Sequence, residues 1–466
     1  MQVPVLSGVY TDETGDFRTS YPQNLVPIPA ITGIAQGYLR PADGITQFAT
    51  GPGTDRGGIN WRGTCYRVMG TKLVSVSSTG VITEIGEVGD GAFCRFDYSF
   101  DRLGIVSDTR LYYYDGATLT QVTDSDLGPV LDMVWVDGYF MTTDGSHLVV
   151  TELADPTQVN PLKYGSSEGD PDPVVALRKV HREVYALNRY TVEVFSNVGG
   201  EFFPFERVPG ALIPRGAVGT RAVTPFMETL AYVGSGRNEP PAVWWINSYN
   251  PVKLSTREID RILQSYSEYT LSQIVTEVFT DKNQQCLKIH LPDKTLVYDG
   301  STSRDAQTPV WYVLHSGLVN PTQYRARGFV WCYDRWIFGD PTDTTLGTYT
   351  STVSTHYGDR IGWEFGTAVL FNEGRGAIVH NLELHSLPGY VPTGVDPTIW
   401  TSYSLDGLTW SQEHPAKAGK QGQYEQRITW RRQGRMRRTR IQKFRGTSDA
   451  HLSLARLEAT VEPLNG

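Results

Sequence analysis

Cysteine is scarce in this sequence. Its 466 residues contain four cysteines, Cys65, Cys94, Cys286 and Cys332, and no two of them form a CxxC pair. A zinc ribbon or a disulfide-rich scaffold requires closely spaced cysteines, so the sequence excludes both classes. We therefore expect four buried, reduced thiols, as in the proteins of a reducing compartment.

Long hydrophobic runs are also missing. No segment approaches the ~18 consecutive apolar residues of a membrane-spanning helix, so we expect no membrane insertion. The opening stretch MQVPVLSGVY has neither a basic cluster nor an extended apolar core, and we expect no signal peptide there. A positive balance of charge is absent as well. The formal net charge of −8 provides no global attraction to nucleic acid or anionic lipid.

Motifs for catalysis or cofactor binding are missing too. The sequence contains no HExxH, no GxSxG and no P-loop, and its nine histidines are scattered. We therefore expect no metal, no cofactor and no enzyme activity. His380 and His385 are closest together, but their odd separation on a strand predicts opposite faces, so sharing a metal would require a bulge. A glycosidase-type pair of carboxylates stays possible, because the two residues of such a pair can be distant in sequence and meet only in the folded protein.

Glycine, tyrosine and tryptophan are abundant, at 47, 25 and 11 residues, which favours short strands and tight turns. Cys286–Gly317 shows the pattern. Leu287–Leu291 alternates apolar and polar residues, Leu296–Tyr298 returns after a Pro-Asp-Lys turn, and Trp311–Leu314 adds a third strand. Asp299-Gly300 predicts a tight turn after the second strand. We interpret this stretch as one blade of a repeating all-β structure.

Hairpin signals of this kind recur along residues 56–355. Asp-Gly pairs, the strongest short-range hairpin signal, begin at positions 115, 137, 144 and 299. Sequential hairpins over roughly 300 residues predict a β-propeller of about six or seven blades. A large double-sheet sandwich is the alternative that this pattern leaves open.

The two ends of the chain differ from this middle part. Residues 1–55 are rich in Pro, Gly and Thr, and prolines in Tyr21–Ala30 predict an N-terminal extended arm. Such an arm becomes stable only by lying on its own domain or on a neighbouring subunit. Beyond residue 355, Asn381–His385, Thr398–Ser404 and Leu452–Val461 predict longer alternating strands. We assign residues 356–466 to a C-terminal β-sandwich-like domain.

One predicted helix interrupts the strands. Ser255 and Glu258 form a capping box with Ser255 as the N-cap, and Ile259–Tyr266 places its apolar residues on one face. We expect this helix to pack on the edge of a sheet. A contact between subunits is the alternative.

Arg427–Arg445 is the most strongly charged segment, with nine basic residues and no acidic one. Guanidinium groups can fork onto phosphates, so DNA contact is one interpretation. Apolar residues alternate with the charges and Gly434 stands where a turn would fall, which predicts a strand–turn–strand with one basic face. We favour an acidic protein partner over DNA. The predicted interface residues are Arg431, Arg432, Arg435, Arg437 and Arg438, with Tyr21, Pro22 and Asn24 of the arm.

Ser404–Trp410 is similar to the Asp-box of sialidase-type propellers but is one residue short. We interpret it as an Asp-Gly hairpin with Trp410 packed beneath it. Even a genuine Asp-box is a structural turn, so this segment predicts no catalytic site.

Several segments, spread nearly end to end, together resemble the tail hub proteins of short-tailed phages of the Salmonella lambdoid type. These proteins are also called packaged-DNA stabilisation proteins or tail accessory factors. Both the order and the spacing of the segments agree with that family. The segments are Tyr21–Asn24, Gly37–Thr46, Glu258–Ser267, Lys288–Ser303, Trp311, Ser316–Leu318 and Arg427–Arg438.

The resemblance implies a structural protein of the virion tail that is assembled in the host bacterial cytoplasm. In that family six copies form a ring below the portal-adaptor ring, continue the DNA channel and receive the tail needle, and receptor-binding tailspikes attach at the sides. It therefore implies a hexamer that contacts the portal-adaptor ring protein, the needle and a tailspike. We expect DNA to pass without specific binding, because favourable phosphate contacts would slow ejection.

Three alternatives remain open. A virion-borne propeller enzyme that degrades polysaccharide predicts an acidic cluster in a central pocket. A glycan-binding propeller predicts exposed tryptophans at the blade tops. A cytosolic scaffold predicts that no ring forms.

Overall fold

Two compact units are distinguished in the computed structural model of the chain. The structure describes residues 2–3, 5–6, 8–11, 17–29, 37–153, 155–281, 284–373, 375–448 and 452–464. The first unit contains residues 47–291 and 325–348, and the second contains residues 1–46, 292–324 and 349–466. The sequence-based division at residues 55 and 355 stays a prediction about separately folding segments.

Consecutive antiparallel strands form four-stranded sheets, here called blades. Blade 1 contains Asp55–Trp61, Thr64–Met69, Lys72–Val76 and Ile82–Glu87. Blade 2 contains Arg95–Tyr98, Leu103–Ser107, Arg110–Tyr114 and Leu119–Gln121. Blade 3 contains Asp132–Val136, Tyr139–Thr143, His147–Thr151 and Val159–Ser166. Blade 4 contains Val174–Val180, Glu183–Asn188, Val192–Asn197 and Phe205–Arg207.

Three further blades vary this plan. Blade 5 has five strands, Gly216–Ala217, Val223–Phe226, Thr229–Ser235, Ala242–Asn247 and Asn250–Lys253. Blade 6 has the strand order Val275–Asp281, Gln284–His290, Thr295–Asp299 and Trp311–Leu314. Blade 7 has the strand order Arg327–Cys332, Arg335–Gly339, Thr345–Thr350 and, out of sequence, Gly44–Thr50.

The innermost strands of the first unit form a closed ring. The first strand of each blade contacts that of the next blade, and Val223–Phe226 takes this place in blade 5. The ring closes where Arg327–Cys332 of blade 7 contacts Asp55–Trp61 of blade 1. Seven sheets around one axis form a β-propeller, so the predicted propeller is confirmed and has seven blades.

Gly44–Thr50 completes the last blade from the other end of the propeller sequence. It is the outermost strand of blade 7, beside Thr345–Thr350. Just beyond it, the amide of Gly51 donates a hydrogen bond to the carbonyl oxygen of Thr344 at 2.9 Å. The strand therefore covers an edge that the final hairpin alone would leave unpaired.

Both faces of blade 2 are buried, which explains the nearly continuous apolar sequence of its strands. Leu111 and Tyr113 pack into one core cluster, whereas Tyr112 and Tyr114 pack into another. Successive side chains of a strand point to opposite faces, so both faces of this blade are buried. A strand that is covered on both sides needs apolar residues at successive positions, which is the pattern of Leu111–Tyr114.

Helix α1 spans Arg257–Gln264, followed by α2 at Glu268–Ser272. The capping prediction was wrong by one residue: the N-cap is Thr256, whose side chain accepts from the Ile259 amide. Ser255 Oγ instead donates to Asp260 Oδ1 at 2.5 Å. Helix α2 was not predicted, because five residues are too few to show helical periodicity.

Helix α3 corrects another expectation. Asp299-Gly300 does not form a tight turn but begins α3, Gly300–Ala306. Asp299 is the N-cap: its Oδ1 accepts from the Thr302 amide at 2.9 Å and its Oδ2 from the Thr302 hydroxyl at 2.6 Å. The same short carboxylate that closes a turn can cap a helix, since both conformations leave amides free to donate.

The second unit contains a β-sandwich, as predicted for the C-terminal part. Its larger sheet has the order Leu25–Pro29, Gly37–Pro41, Leu454–Pro463, Ala377–Ser386 and Ile428–Arg431, with Gln2–Val3 and Arg435–Met436 at the side. Its smaller sheet has the order Gly362–Gly366, Thr439–Thr447, Thr398–Ser404 and His414–Lys417, with Leu370–Phe371 at the side. Gly8–Thr11 and Phe17–Ser20 form a separate hairpin.

The core of the sandwich is shared by both sheets and by the N-terminal segment. Leu382 and Trp430 of the larger sheet pack with Phe365 and Phe444 of the smaller one. Leu25, from the segment predicted to be an extended arm, is fully buried in the same core. The predicted arm, residues 1–55, thus contributes three strands to this unit's own sheet, Gln2–Val3, Leu25–Pro29 and Gly37–Pro41.

All four cysteines are buried and free, in agreement with the prediction of buried thiols. Among the described residues, no helix is both long and apolar enough to cross a bilayer.

Candidate partner interface

The basic segment does not form the predicted strand–turn–strand with a turn at Gly434. Its strands Ile428–Arg431 and Arg435–Met436 pair one after the other with the same strand, Ala377–Ser386, and residues 432–434 only interrupt them. The chain bends at residues 437–438 and continues as Thr439–Thr447 in the smaller sheet. Ile428 and Trp430 are buried in the sandwich core. Since side chains alternate along a strand, the next residue, Arg431, lies on the outer face and is exposed. The apolar residues between the charges thus anchor the segment and direct its arginines outward.

Hydrogen bonds to the neighbouring strand hold residues 432–434 of this segment in place. The Arg432 amide donates to the carbonyl oxygen of His380 at 2.7 Å, and the Gln433 amide donates to that of Val379 at 3.0 Å. The Val379 amide in turn donates to the Gly434 carbonyl at 2.9 Å. Gly434 has a φ of 84°, a left-handed conformation that glycine adopts without strain. The arginines are therefore presented on a fixed backbone.

Six arginines of this segment are exposed, and five of them form no ion pair within the part of the chain that the structure describes. We call these five the basic face. Its members are Arg431, Arg432, Arg435, Arg437 and Arg438. They are the five arginines that we predicted to contact a partner.

The segment's remaining arginines form contacts within the chain. Arg427 and Arg445 form ion pairs with Glu383 and Glu413, and these hydrogen bonds hold the pKa of both glutamates below its usual value. Arg440 is fully buried, with its guanidinium 3.8 Å from the centroid of an aromatic ring. The run of nine basic residues therefore does not act as one charged surface.

The chemistry of the basic face suits an anionic partner. Each guanidinium presents its donors in a planar fork that matches a carboxylate or a phosphate. Within the described ranges, no group of three or more His, Cys, Asp or Glu side chains could hold a metal ion. The basic face is therefore a surface for binding, and we assign no bond-making chemistry to it.

The predicted interface residues of the arm lie in a different environment. Pro22 and Asn24 are buried, and Tyr21 is half-buried. The amide of Val313 donates to the carbonyl oxygen of Pro22 at 2.9 Å, and the Asn24 amide donates to that of Val313 at 2.8 Å. These residues therefore join segments of their own unit, and their contact with another subunit stays a prediction.

The two neighbouring histidines correct the sequence prediction. A β-bulge lies between Val379 and Asn381, so His380 and His385 lie on the same face of their strand. Their Nε2 atoms lie 2.8 Å from Glu462 Oε2 and 3.6 Å from Glu458 Oε2, respectively. Strict alternation of side chains predicts the wrong face for one histidine here, because a bulge adds one residue to one strand.

The Asp-box-like segment is a turn, as interpreted from its sequence. Asp406 Oδ1 accepts from the amides of Leu408 and Thr409 at 2.9 and 2.8 Å. Hydrogen bonds from the Thr409 hydroxyl and from these amides hold the pKa of Asp406 well below its ordinary value. The carboxylate is used in fixing the turn.

Comparison with known families agrees with this architecture. Residues 1–354 match the family described as "Bacteriophage P22 Gp10, beta-propeller". Residues 362–462 match "Bacteriophage P22 Gp10, beta-sandwich". The chain belongs to this family. The order of the two matches, propeller and then sandwich, is the order of the sheets along this chain, and the family resemblance predicted from the sequence is confirmed.

A curated member of the family has the same extent. The tail hub protein gp10 of Salmonella phage P22 is 26% identical to this chain over 483 residues. The alignment covers 99% of this chain and 99% of that protein. Both domains of the relative therefore have a counterpart here.

Solved structures are more weakly similar. The N-terminal domain of Nup159 is 10% identical with a TM-score of 0.42, covering 71% of this chain and 98% of that one. The Pan2 WD40 domain of Neurospora crassa is 11% identical with a TM-score of 0.41, covering 66% of this chain and 95% of that one. At these TM-scores the likenesses carry no argument about this protein.

Proposed function

We propose that this protein is a structural subunit of a phage tail and forms its hub. One observation carries the proposal: the tail hub protein of phage P22 aligns with this chain over 99% of both sequences. The proposal places the protein in the virion tail, after assembly in the host bacterial cytoplasm.

We further propose that six copies form a ring below the portal-adaptor ring. In this arrangement the hub continues the DNA channel, closes the filled head, stabilises the packaged DNA and docks the tail needle and the tailspikes. The closed ring of inner strands supports this role, because a propeller leaves only short sheet edges and makes a stiff wall element. DNA passes through without specific binding, in keeping with the net charge of −8.

The basic face is the surface that we assign to a protein partner with an acidic surface. Its five guanidinium groups have no carboxylate partner among the described residues, so a partner's carboxylates can bind them without displacing an internal ion pair. The hydrogen bonds of residues 432–434 lower the ordering cost of that contact, because the backbone there is already fixed.

A triple variant tests this assignment. R435A/R437A/R438A should fold normally, because all three side chains are exposed, but should lose docking onto the portal-adaptor complex. Size-exclusion chromatography of the hub with that complex measures the loss. R110A/R182A/R335A, which removes three exposed arginines of the first unit, is the matched control and should dock normally. Unchanged assembly of the first variant would defeat the basic face as an interface.

We propose that this function includes no catalytic step. The relative's printed name, a tail hub protein, supports a structural role. Incubation of the purified protein with host surface polysaccharide should release no reducing ends. Turnover in this assay would favour the virion-borne enzyme instead.

A further inference from the structure

Arginines from five different blades converge on the axis of the propeller. They are Arg56 of blade 1, Arg95 of blade 2, Arg178 of blade 4, Arg221 of blade 5 and Arg327 of blade 7. Four belong to the first strand of their blade, and Arg221 lies just before Val223–Phe226. Because the first strands form the inner ring, these cations share the centre of the propeller. We call them the axial arginines.

One carboxylate serves two of the axial arginines. Asp132 Oδ2 lies 2.5 Å from Arg178 Nη1, and Asp132 Oδ1 lies 3.2 Å from Arg95 Nε. Arg178 Nη2 also donates to the carbonyl oxygen of Thr220 at 2.6 Å. This chain of contacts reaches the residue next to Arg221 and shows that the inner strands bring the cations together.

Arg56 is a buried cation that is bonded only to neutral groups. Its guanidinium donates to the carbonyl oxygens of Ala92, Gly70 and Gly89 and to the hydroxyl of Ser107, at 2.7–2.9 Å. These bonds satisfy its donors but supply no negative charge. A buried charge without a counter-charge is costly, so its field should attract an anion nearby.

Arg221 and Arg327 are half-buried, and their side chains form no hydrogen bond and no ion pair within the described ranges. The Arg327 guanidinium lies 5.2 Å from the ring centroid of Phe93, an aromatic face that carries no net charge. Burial lowers the pKa of Arg221 to about 10, and the like charges of Arg327 and Arg56 act in the same direction.

The axial arginines outnumber the carboxylates that are bonded to them. Asp132 is shared by Arg178 and Arg95, and the nearby Asp55 is already paired with Arg67 through two 2.7 Å contacts. The donors of Arg56 are satisfied by neutral groups. Arg221 and Arg327, which have no bonded partner among the described residues, therefore keep donors for an anion.

We propose that Arg221 and Arg327 bind a tetrahedral oxyanion, either inorganic phosphate or the phosphate group of a nucleotide, at the axis of the propeller. A phosphate group has enough oxygens to accept from two guanidinium forks at once, whereas a carboxylate satisfies one fork bidentately. Bound between blades 5 and 7, the anion joins inner strands that are not neighbours in the ring. It therefore stabilises the closed propeller.

Thermal unfolding of the full-length protein tests this site. Millimolar inorganic phosphate should raise Tm by a few degrees relative to chloride at equal ionic strength, because a ligand that binds only the native state stabilises it. ATP is a second arm: a shift at lower concentration than phosphate assigns the site to a nucleotide, and an equal or smaller one to the free ion. The proposal is overturned if neither anion raises Tm beyond chloride.

Two variants separate ligand binding from a structural role. R221Q and R327Q should abolish the phosphate-dependent shift, while in chloride each should be as stable as the wild type or more so, because a repelling charge is gone. R335Q, an exposed arginine of blade 7, should keep the shift. If R327Q is less stable than the wild type in both buffers, the arginine serves packing and the site is refuted.

A direct measurement covers the case in which a variant does not fold. Phosphorus-31 NMR of phosphate titrated with the wild-type protein should show saturable line broadening that sulfate reverses. R327K, which keeps the charge but loses the fork, should weaken this broadening. Absence of broadening with the folded wild-type protein would also overturn the proposal.

Discussion

The side-chain amide of Asn24 donates a 2.7 Å hydrogen bond to the carbonyl oxygen of Gly362. Its Oδ1 accepts from the amide of His315 at 3.0 Å. Asn24 is 2% exposed and has a φ of 53°, a conformation that asparagine tolerates better than most residues. One side chain thus joins three segments of the second unit that are far apart in sequence.

Replacement of Asn24 should destabilise the protein. N24A leaves the buried Gly362 carbonyl and His315 amide without partners and places alanine at a positive φ, which together should cost about 2–4 kcal/mol. Chemical denaturation measures the change. Q23A, at the neighbouring half-buried residue, is the control and should stay near the wild type. A loss below ~1 kcal/mol in N24A would contradict the assigned hydrogen bonds.

His315 should make stability fall in mild acid. Burial lowers its pKa from 6.5 to about 4, so the unfolded chain takes up this proton at a higher pH than the folded one. The contribution of His315 to the free energy of unfolding is constant above pH 6.5 and is lost as the pH drops from 6.5 towards 4. The loss amounts to about 3 kcal/mol at most.

Urea unfolding across this pH window, with the wild type beside H315N, isolates the histidine. Asparagine keeps an acceptor for the Gly317 amide, which donates to His315 Nδ1 at 3.2 Å, but has no titrating group. The stability curve of H315N should be flatter than that of the wild type. Two curves of equal slope would show that another group causes the acid sensitivity.

The buried pair of Arg67 and Asp55 should be strongly coupled. Burial alone would lower the pKa of Arg67, but the charge and hydrogen bonds of Asp55 raise it above the usual value. R67M leaves Asp55 buried without its partner and should cost about 3–5 kcal/mol, and adding D55N should recover part of that.

The control for this pair is an exposed one. Lys72 Nζ lies 3.0 Å from Glu84 Oε2, with 34% and 52% of these side chains exposed. K72A should leave the denaturation midpoint unchanged, because water screens such pairs. If D55N/R67M is destabilised by the sum of the two single variants, the coupling is absent.

Gly44–Thr50, the strand that closes blade 7, should be required in a stable fragment of the propeller. A fragment of residues 51–355 keeps Asp55 and its partner Arg67 but lacks Gly44–Thr50, so the edge of Thr345–Thr350 is unpaired. It should aggregate more, and melt at a lower temperature, than a fragment of residues 44–355. Light scattering and thermal unfolding measure both effects. Equal behaviour of the two fragments would show that the strand is dispensable.

Short-range features of the fold were predictable because their causes lie within a few residues. The Asp115-Gly116 turn is one case: Asp115 Oδ1 accepts from the amides of Ala117 and Thr118 at 2.8 and 2.7 Å. Asp299-Gly300 has the same two residues but begins a helix. There Thr302 and Ser303 are buried, so the surroundings of the following residues select the conformation.

The basic face shows which parts of the candidate site could not be predicted from the sequence. The sequence shows nine basic residues in one segment, but the turn that it predicts at Gly434 is wrong, because the chain bends at residues 437–438 instead. It does not show that Arg427 and Arg445 are paired, because their partners stand 44 and 32 residues away. The sequence likewise predicted Asn24 as an interface residue. Asn24 is buried, and its side chain donates to Gly362, which stands 338 residues away.

The sequence by itself determined that the chain is all-β, that its turns recur in a propeller pattern and that its family is that of a phage tail hub. The tertiary structure alone decided that seven blades close with Gly44–Thr50 and that two of the five axial arginines share one carboxylate, Asp132. The physical reason is range. Turn chemistry and alternation act between neighbours in the chain, whereas strand pairing and charge balance depend on distant segments that meet only in the folded protein.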